Sequence, residues 1–211
     1  MKKIKQLCSA IVLTVLSVIA YGQEYNAVDI GGQRWMTENL NVSRFRNGDA
    51  IPEAKTYEDW YQAARSKQPA WCYYENDPAN GKKYGKIYNW YAVNDERGLA
   101  PSGWHVPTDD EWKTLTDFLG GEVGAGPKMK AKAGWNSNKN GSNSSGFAGL
   151  PGGACTSSGS FSYKGDVGKW WTATESSATY AWLRVLGYVD GDVSRPNLDK
   201  ANGLSVRCVK D

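Results

Sequence analysis

The sequence is poor in the residues that metal and redox chemistry draw on. Its 211 residues include one histidine (His105), four cysteines and three methionines. One imidazole, with no two cysteines at ligand spacing, argues against a zinc site, so no metal ligand and no cofactor is assigned. The chain also lacks an excess of charge. Three of its 25 basic residues (Lys2, Lys3, Lys5) fall in the first 22 positions, which hold no acid. The remaining 22 basic side chains balance 22 acidic ones. A neutral chain without basic runs argues against a nucleic-acid or anionic-membrane partner.

Long hydrophobic runs are missing too, except at the start. "MKKIKQLCSAIVLTVLSVIAYG" has a lysine-bearing n-region, an apolar core from Ile11 to Ala20 and a small-x-small end at Ala20-Tyr21-Gly22. This is the pattern of a secretory signal peptide over residues 1–22, with cleavage before Gln23. Its apolar core is shorter than the ~20 residues of a membrane span, so none is expected after cleavage. Cys8 precedes that core, whereas a lipidated cysteine would follow it. The expected localisation is secreted, at the outer cell surface or in the periplasm. Residues 23–211 are long enough for one domain with a proper core.

Three cysteines remain, Cys72, Cys155 and Cys208, in a compartment where disulfides persist. An odd number leaves one unpaired within the chain. Cys72 in "AWCYY" and Cys208 in "LSVRCVKD" have the apolar, strand-like surroundings of an interstrand bridge. Cys155 lies in Gly/Ser-rich "LPGGACTSSGS". The expected pair is Cys72 with Cys208, leaving Cys155 as the free thiol.

What is abundant is aromatic and β-branched. "YNAVDIGGQRWMTENL" reads as two strands around a Gly31-Gly32 turn. In "TYEDWYQAARSK", Tyr57, Trp60, Tyr61 and Ala64 recur at i, i+3, i+4, i+7, one face of an amphipathic helix. Asn76 to Gly81 reads as loop, and "YGKIYNWYAV" as strand. In "APSGWHVPTDDEWKTLTDFLGG", Thr108 and Glu111 form a capping box, and Asp109 and Asp110 sit in the first turn, where the helix dipole favours acids. Gly120-Gly121 ends that helix. His105 has no serine or cysteine nucleophile tied to it and is expected to be structural. Ala125 to Ser162 reads as ordered loop pinned by Trp135, Phe147, Leu150 and Phe161. The last third is β: "GKWWTATE", "TYAWLRVLGYV", an Asp190-Gly191 turn, "DVSRP", and "GLSVRCVKD" after an Asn202-Gly203 turn. Alternation along the second run puts Tyr180, Trp182, Arg184, Leu186 and Tyr188 on one face, and Tyr180, Trp182, Arg184 and Tyr188 are its outward set, of the residue types enriched where surfaces bind partners.

The motifs "WMTENLN", "YGKIYNWYAV", "GLAPSGWHVPTDDEWKTLTDFLGG", "GFAGLPGG", "WWTATES", "AWLRVL" and "GLSVRCVKD" resemble the Fibrobacter succinogenes major paralogous domain, abundant in secreted proteins of Bacteroidetes and Fibrobacteres. "GWHVPTDDEW" and "SVRC" are also similar to the formylglycine-generating-enzyme group. The resemblance implies an α+β, C-type-lectin-like domain with two main helices, short antiparallel strands, long ordered loops and termini joined in one sheet. Fold alone does not carry function. Oxidase members of that group use a C-terminal cysteine pair, and from Trp170 onward this chain has only Cys208. Calcium lectins use an oxygen ligand where Arg195-Pro196-Asn197 has a guanidinium, so calcium is not supported by motif. The expected function is a non-catalytic binding or adhesion module for a glycan or surface protein, through Tyr180, Trp182, Arg184 and Tyr188. The alternatives are a secreted glycoside hydrolase pairing Glu175 with Asp190 or Asp192, and a structural subunit of a surface assembly.

Overall fold

The computed structural model describes residues 24–187 and 191–211. The expected signal peptide, Tyr188 and Asp190 lie outside the described residues. Strands β1 (Ala27–Ile30) and β2 (Gln33–Met36) form the hairpin expected around Gly31-Gly32. Both glycines have positive φ, 60° and 81°, as a tight two-residue turn requires. The helix α1 (Tyr57–Arg65) starts with a capping box, Thr56 with Asp59. It buries Trp60 and Ala64 and leaves Tyr57 and Tyr61 exposed, so its core face is narrower than the periodicity implies.

Beyond it come β3 (Trp71–Cys72), α2 (Pro78–Tyr84), β4 (Ile87–Asn89), α3 (Trp90–Val93) and β5 (Trp104–His105). Two of these differ from expectation for local reasons. In "DPANGKKY", Asp77 caps a helix with Pro78 in its first turn, a favoured start, although the composition reads as loop. In "IYNWYAV", the Asn89 side chain accepts from the N–H of Ala92, so an expected strand stops and a short helix begins. Helix α4 (Asp109–Phe118) carries the expected Thr108/Glu111 capping box, and α5 (Glu122–Met129) follows it after Gly120-Gly121. Five helices thus stand among the described residues where two were expected, mixed with antiparallel sheets.

The remaining strands are β6 (Ala154–Cys155), β7 (Phe161–Ser162), β8 (Val167–Glu175), β9 (Tyr180–Gly187), β10 (Val193–Ser194), β11 (Asn197–Asp199), β12 (Gly203–Leu204) and β13 (Val209–Lys210). One sheet runs β1-β2-β13-β5 and joins the two ends of the described chain, Val209 pairing with Trp35. A second has β9 between β10 and β11, with β8 also paired to it, and a third runs β3-β4-β12-β6-β7. The expected terminal strand is two strands in different sheets, bridged by Ser205–Cys208. Gly203, expected in a turn, is a strand residue whose missing side chain admits Ile87 and the Trp60 ring.

Nine of the ten tryptophans are buried, Trp182 being the exception. Trp35, Trp112, Phe147 and Trp170 interlock with ring centroids 4.9–6.3 Å apart between α4, β2 and β8. Trp135 and Phe147 are buried, as expected of loop anchors, and Phe161 packs on Tyr74. The abundance of aromatic rings is therefore chiefly a property of the core.

The expected cysteine pairing is not what the structure displays. Cys72, Cys155 and Cys208 are all free, buried thiols. Cys208 packs in the cluster around Trp104 and Trp171, whereas Cys72 shares another cluster with Cys155, Trp60 and Ile87. The thiol of Cys72 lies against that of Cys155, and burial first, then this neighbour, pushes its pKa well up.

Candidate functional site

Strand β9 was expected to present an aromatic and arginine face. Burial alternates only from Tyr180 to Leu183; beyond that Arg184 and Leu186, expected on the outward face, are buried, while Val185 and Gly187 are half-buried. Tyr180, at the strand's start, is exposed. Trp182 is half-buried, and the guanidinium of Arg195 lies 3.6 Å from its ring centroid, covering one face. Arg184 is 2% exposed; its Nη1 donates to Asp109 Oδ1 and its Nη2 to the Asp109 carbonyl at 3.0 Å. Arg195 Nε donates to the other Asp109 oxygen at 2.7 Å. Burial is the largest influence on Asp109 and favours its neutral form, but the two arginines outweigh it and lower its pKa. Arg184 is thus a structural cation rather than an outward contact.

The carboxylates considered for hydrolysis are also accounted for in part. Glu175 accepts from Lys200 Nζ at 2.7 Å. Lys200 is buried, and its Nζ also donates to the Ala178 carbonyl at 3.0 Å. Asp192 is half-buried. His105 is hydrogen-bonded through both ring nitrogens, Nε2 to Glu111 and Nδ1 to Asp211, each at 2.7 Å. It ties β5, the α4 cap and the chain's last residue together, the structural role expected of it.

A different pair of rings is presented to solvent. Tyr57 and Tyr61, four residues apart on α1, are 54% and 37% exposed. Their centroids are 6.3 Å apart and their planes 11° from parallel. Beside them an open hollow of about 270 Å³ is lined by Tyr61, Arg65, Ser157 and Ser158. The β6–β7 loop that supplies the serines is held in shape: Thr156 Oγ1 accepts from the N–H of Ser160 at 3.0 Å, and Asn202 Oδ1 from that of Ser157 at 3.1 Å. Gly159, with φ of 88°, lets the loop close onto the backbone of Tyr57. The helical periodicity placed both tyrosines on one amphipathic face with Trp60 and Ala64. What distinguishes them is contact with β6–β7, a tertiary relationship that spacing alone does not carry.

Among the described residues these features define an α+β domain of three antiparallel sheets and five helices, cored by interlocking tryptophans. The chain belongs to the Fibrobacter succinogenes major domain family, whose family model matches residues 28–210. No curated protein matches the chain significantly.

Proposed function

We propose that the protein is a secreted or surface-exposed, non-catalytic binding module whose ligand is a glycan, with a C-type-lectin-like organisation of its helices and sheets. The observation that carries this reading is the near-parallel, solvent-facing pair Tyr57 and Tyr61. Phenol rings stack on the apolar C–H faces of sugars and lose little entropy in doing so. Arg65 and the hydroxyls of Ser157 and Ser158, beside the rings, supply donors and acceptors for sugar hydroxyls. A capped helix and a braced loop hold these groups in place before any ligand arrives, which lowers the ordering cost of binding. Tyr180 and the free edge of Trp182 on β9 remain a second aromatic surface, better suited to a surface protein than to a sugar because Arg195 covers the Trp182 face.

The test is a glycan array probed with residues 23–211, reading binding and product release together. Binding without release, weakened by Tyr57→Ala and Tyr61→Ala but not by Trp182→Ala, is expected. Release of product would contradict the non-catalytic reading and revive the pairing of Glu175 with Asp190 or Asp192.

A further inference from the structure

A cleft of about 390 Å³, sharing no residue with the α1 hollow, opens between the segment after β2, the α2–β4 corner and the loop around Ala148. Thr37, Glu38, Asn39 and Asn41 line one side and the exposed Lys82 and Lys83 the other, with Arg207 at its base. Arg207 is 1% exposed. Its Nε and Nη2 donate to Asn39 Oδ1 at 3.1 and 2.7 Å, and its Nη1 donates to the carbonyls of Met36 and Phe147. All of these acceptors are neutral. Among the described residues no carboxylate lies within ion-pair distance of Arg207; Glu38 on the cleft wall acts on it only through space, and the Phe147 ring centroid lies 4.4 Å from its Cζ.

A buried cation whose nearest carboxylate, Glu38, makes no hydrogen bond to it is costly. Burial lowers the pKa of Arg207 to about 9, which still leaves it charged at neutral pH. The contrast within this fold is Arg184, equally buried but neutralised by Asp109. Asn39 holds the guanidinium in place, because its Oδ1 also accepts from Trp170 Nε1 at 2.8 Å while its Nδ2 donates to the Tyr84 carbonyl at 2.8 Å. A second buried cation adjoins the cleft. Lys86, 5% exposed, donates to Asn41 Oδ1 at 2.9 Å and likewise forms no ion pair. Glu38 is the single carboxylate on the cleft wall, against Lys82, Lys83 and the base of Arg207.

We infer that this cleft binds a carboxylate-bearing sugar, a uronate. Its carboxylate faces Arg207 between Lys82 and Lys83, and its hydroxyls meet Glu38, Asn41 and Thr37. The inference rests on the carbohydrate reading for its ligand class but uses a separate site.

The experiment is calorimetric titration of residues 23–211 with glucuronate and galacturonate, with glucose and galactose as neutral counterparts, and with acetate and sulfate as plain anions. Uronate binding at least about tenfold tighter than that of the neutral sugars or the plain anions is expected, weakening as salt is added. The exposed double variant Lys82→Ala/Lys83→Ala, which removes no buried side chain, is expected to lose about tenfold. Three results would overturn the inference: no uronate binding, equal affinity for uronate and neutral sugar, or acetate and sulfate binding as well as uronate. Absence of uronate binding alongside Tyr57-dependent glycan binding overturns this site alone and leaves the α1 reading standing.

Discussion

Asp109 and Arg184 meet 75 residues apart in the chain, at the buried start of α4, and Arg195 completes the charge cluster from the exposed side. The acid that a sequence reading assigns to the helix dipole therefore has a second partner, which anchors α4 to β9.

Removing Asp109 leaves Arg184 buried without a counter-charge. Asp109→Ala is expected to destabilise the fold by about 3–5 kcal/mol, measured by urea unfolding. A change within about 0.5 kcal/mol, the range of an ordinary surface substitution, would show that the pair does not anchor the helix.

The pH dependence follows from His105. Burial is its largest influence and opposes protonation, but the hydrogen bonds to Asp211 and Glu111 and their charges outweigh it, and its pKa is raised. A raised pKa contributes stability that is fully present below the unfolded value, about 6.5, and is lost as pH climbs through the folded value. Glu111 is the converse. Burial again is largest and opposes ionisation, yet the Thr108 N–H and His105 lower its pKa. Its contribution is present above its ordinary value and lost as pH falls through the depressed one. Melting temperatures of the protein and of His105→Gln are expected to converge as pH rises above about 6.5. A difference independent of pH from 5 to 9 would contradict this.

The cysteines give a covalent test of the sheet. Tyr74 packs on Phe161 with centroids 5.1 Å apart, and Lys164 donates to Glu75 at 2.7 Å, so the β3 end meets the β6–β7 hairpin. The thiol contact of Cys72 with Cys155 belongs to the same closure. If the thiols are oxidised by exchange with an external disulfide, non-reduced peptide mapping is expected to link Cys72 to Cys155 and leave Cys208 free. A peptide joining Cys72 to Cys208 would restore the pairing expected from sequence and contradict the placement of these strands.

Much of the local structure was legible in the residues themselves. Gly31-Gly32 and the Thr108/Glu111 box each report interactions within a few residues, and each stands in the structure; the α1 periodicity found the helix but only half of its expected face, Trp60 and Ala64, is buried. Helix α2 was hidden because Asp77 and Pro78 serve loops and helix starts alike. The outward face on β9 failed at Arg184 because alternation says which residues share a side and not what covers that side. The Cys72–Cys155 contact and the solvent-facing tyrosines depend on contacts between distant segments, which no local pattern encodes.

The most direct measurement of the central claim is the affinity of the Tyr57→Ala/Tyr61→Ala double variant for whichever glycan the unaltered protein retains. Both rings are exposed, so the melting temperature is expected to hold while affinity falls at least about tenfold. Unchanged affinity in a folded double variant, or no glycan bound by the unaltered protein, would contradict the account.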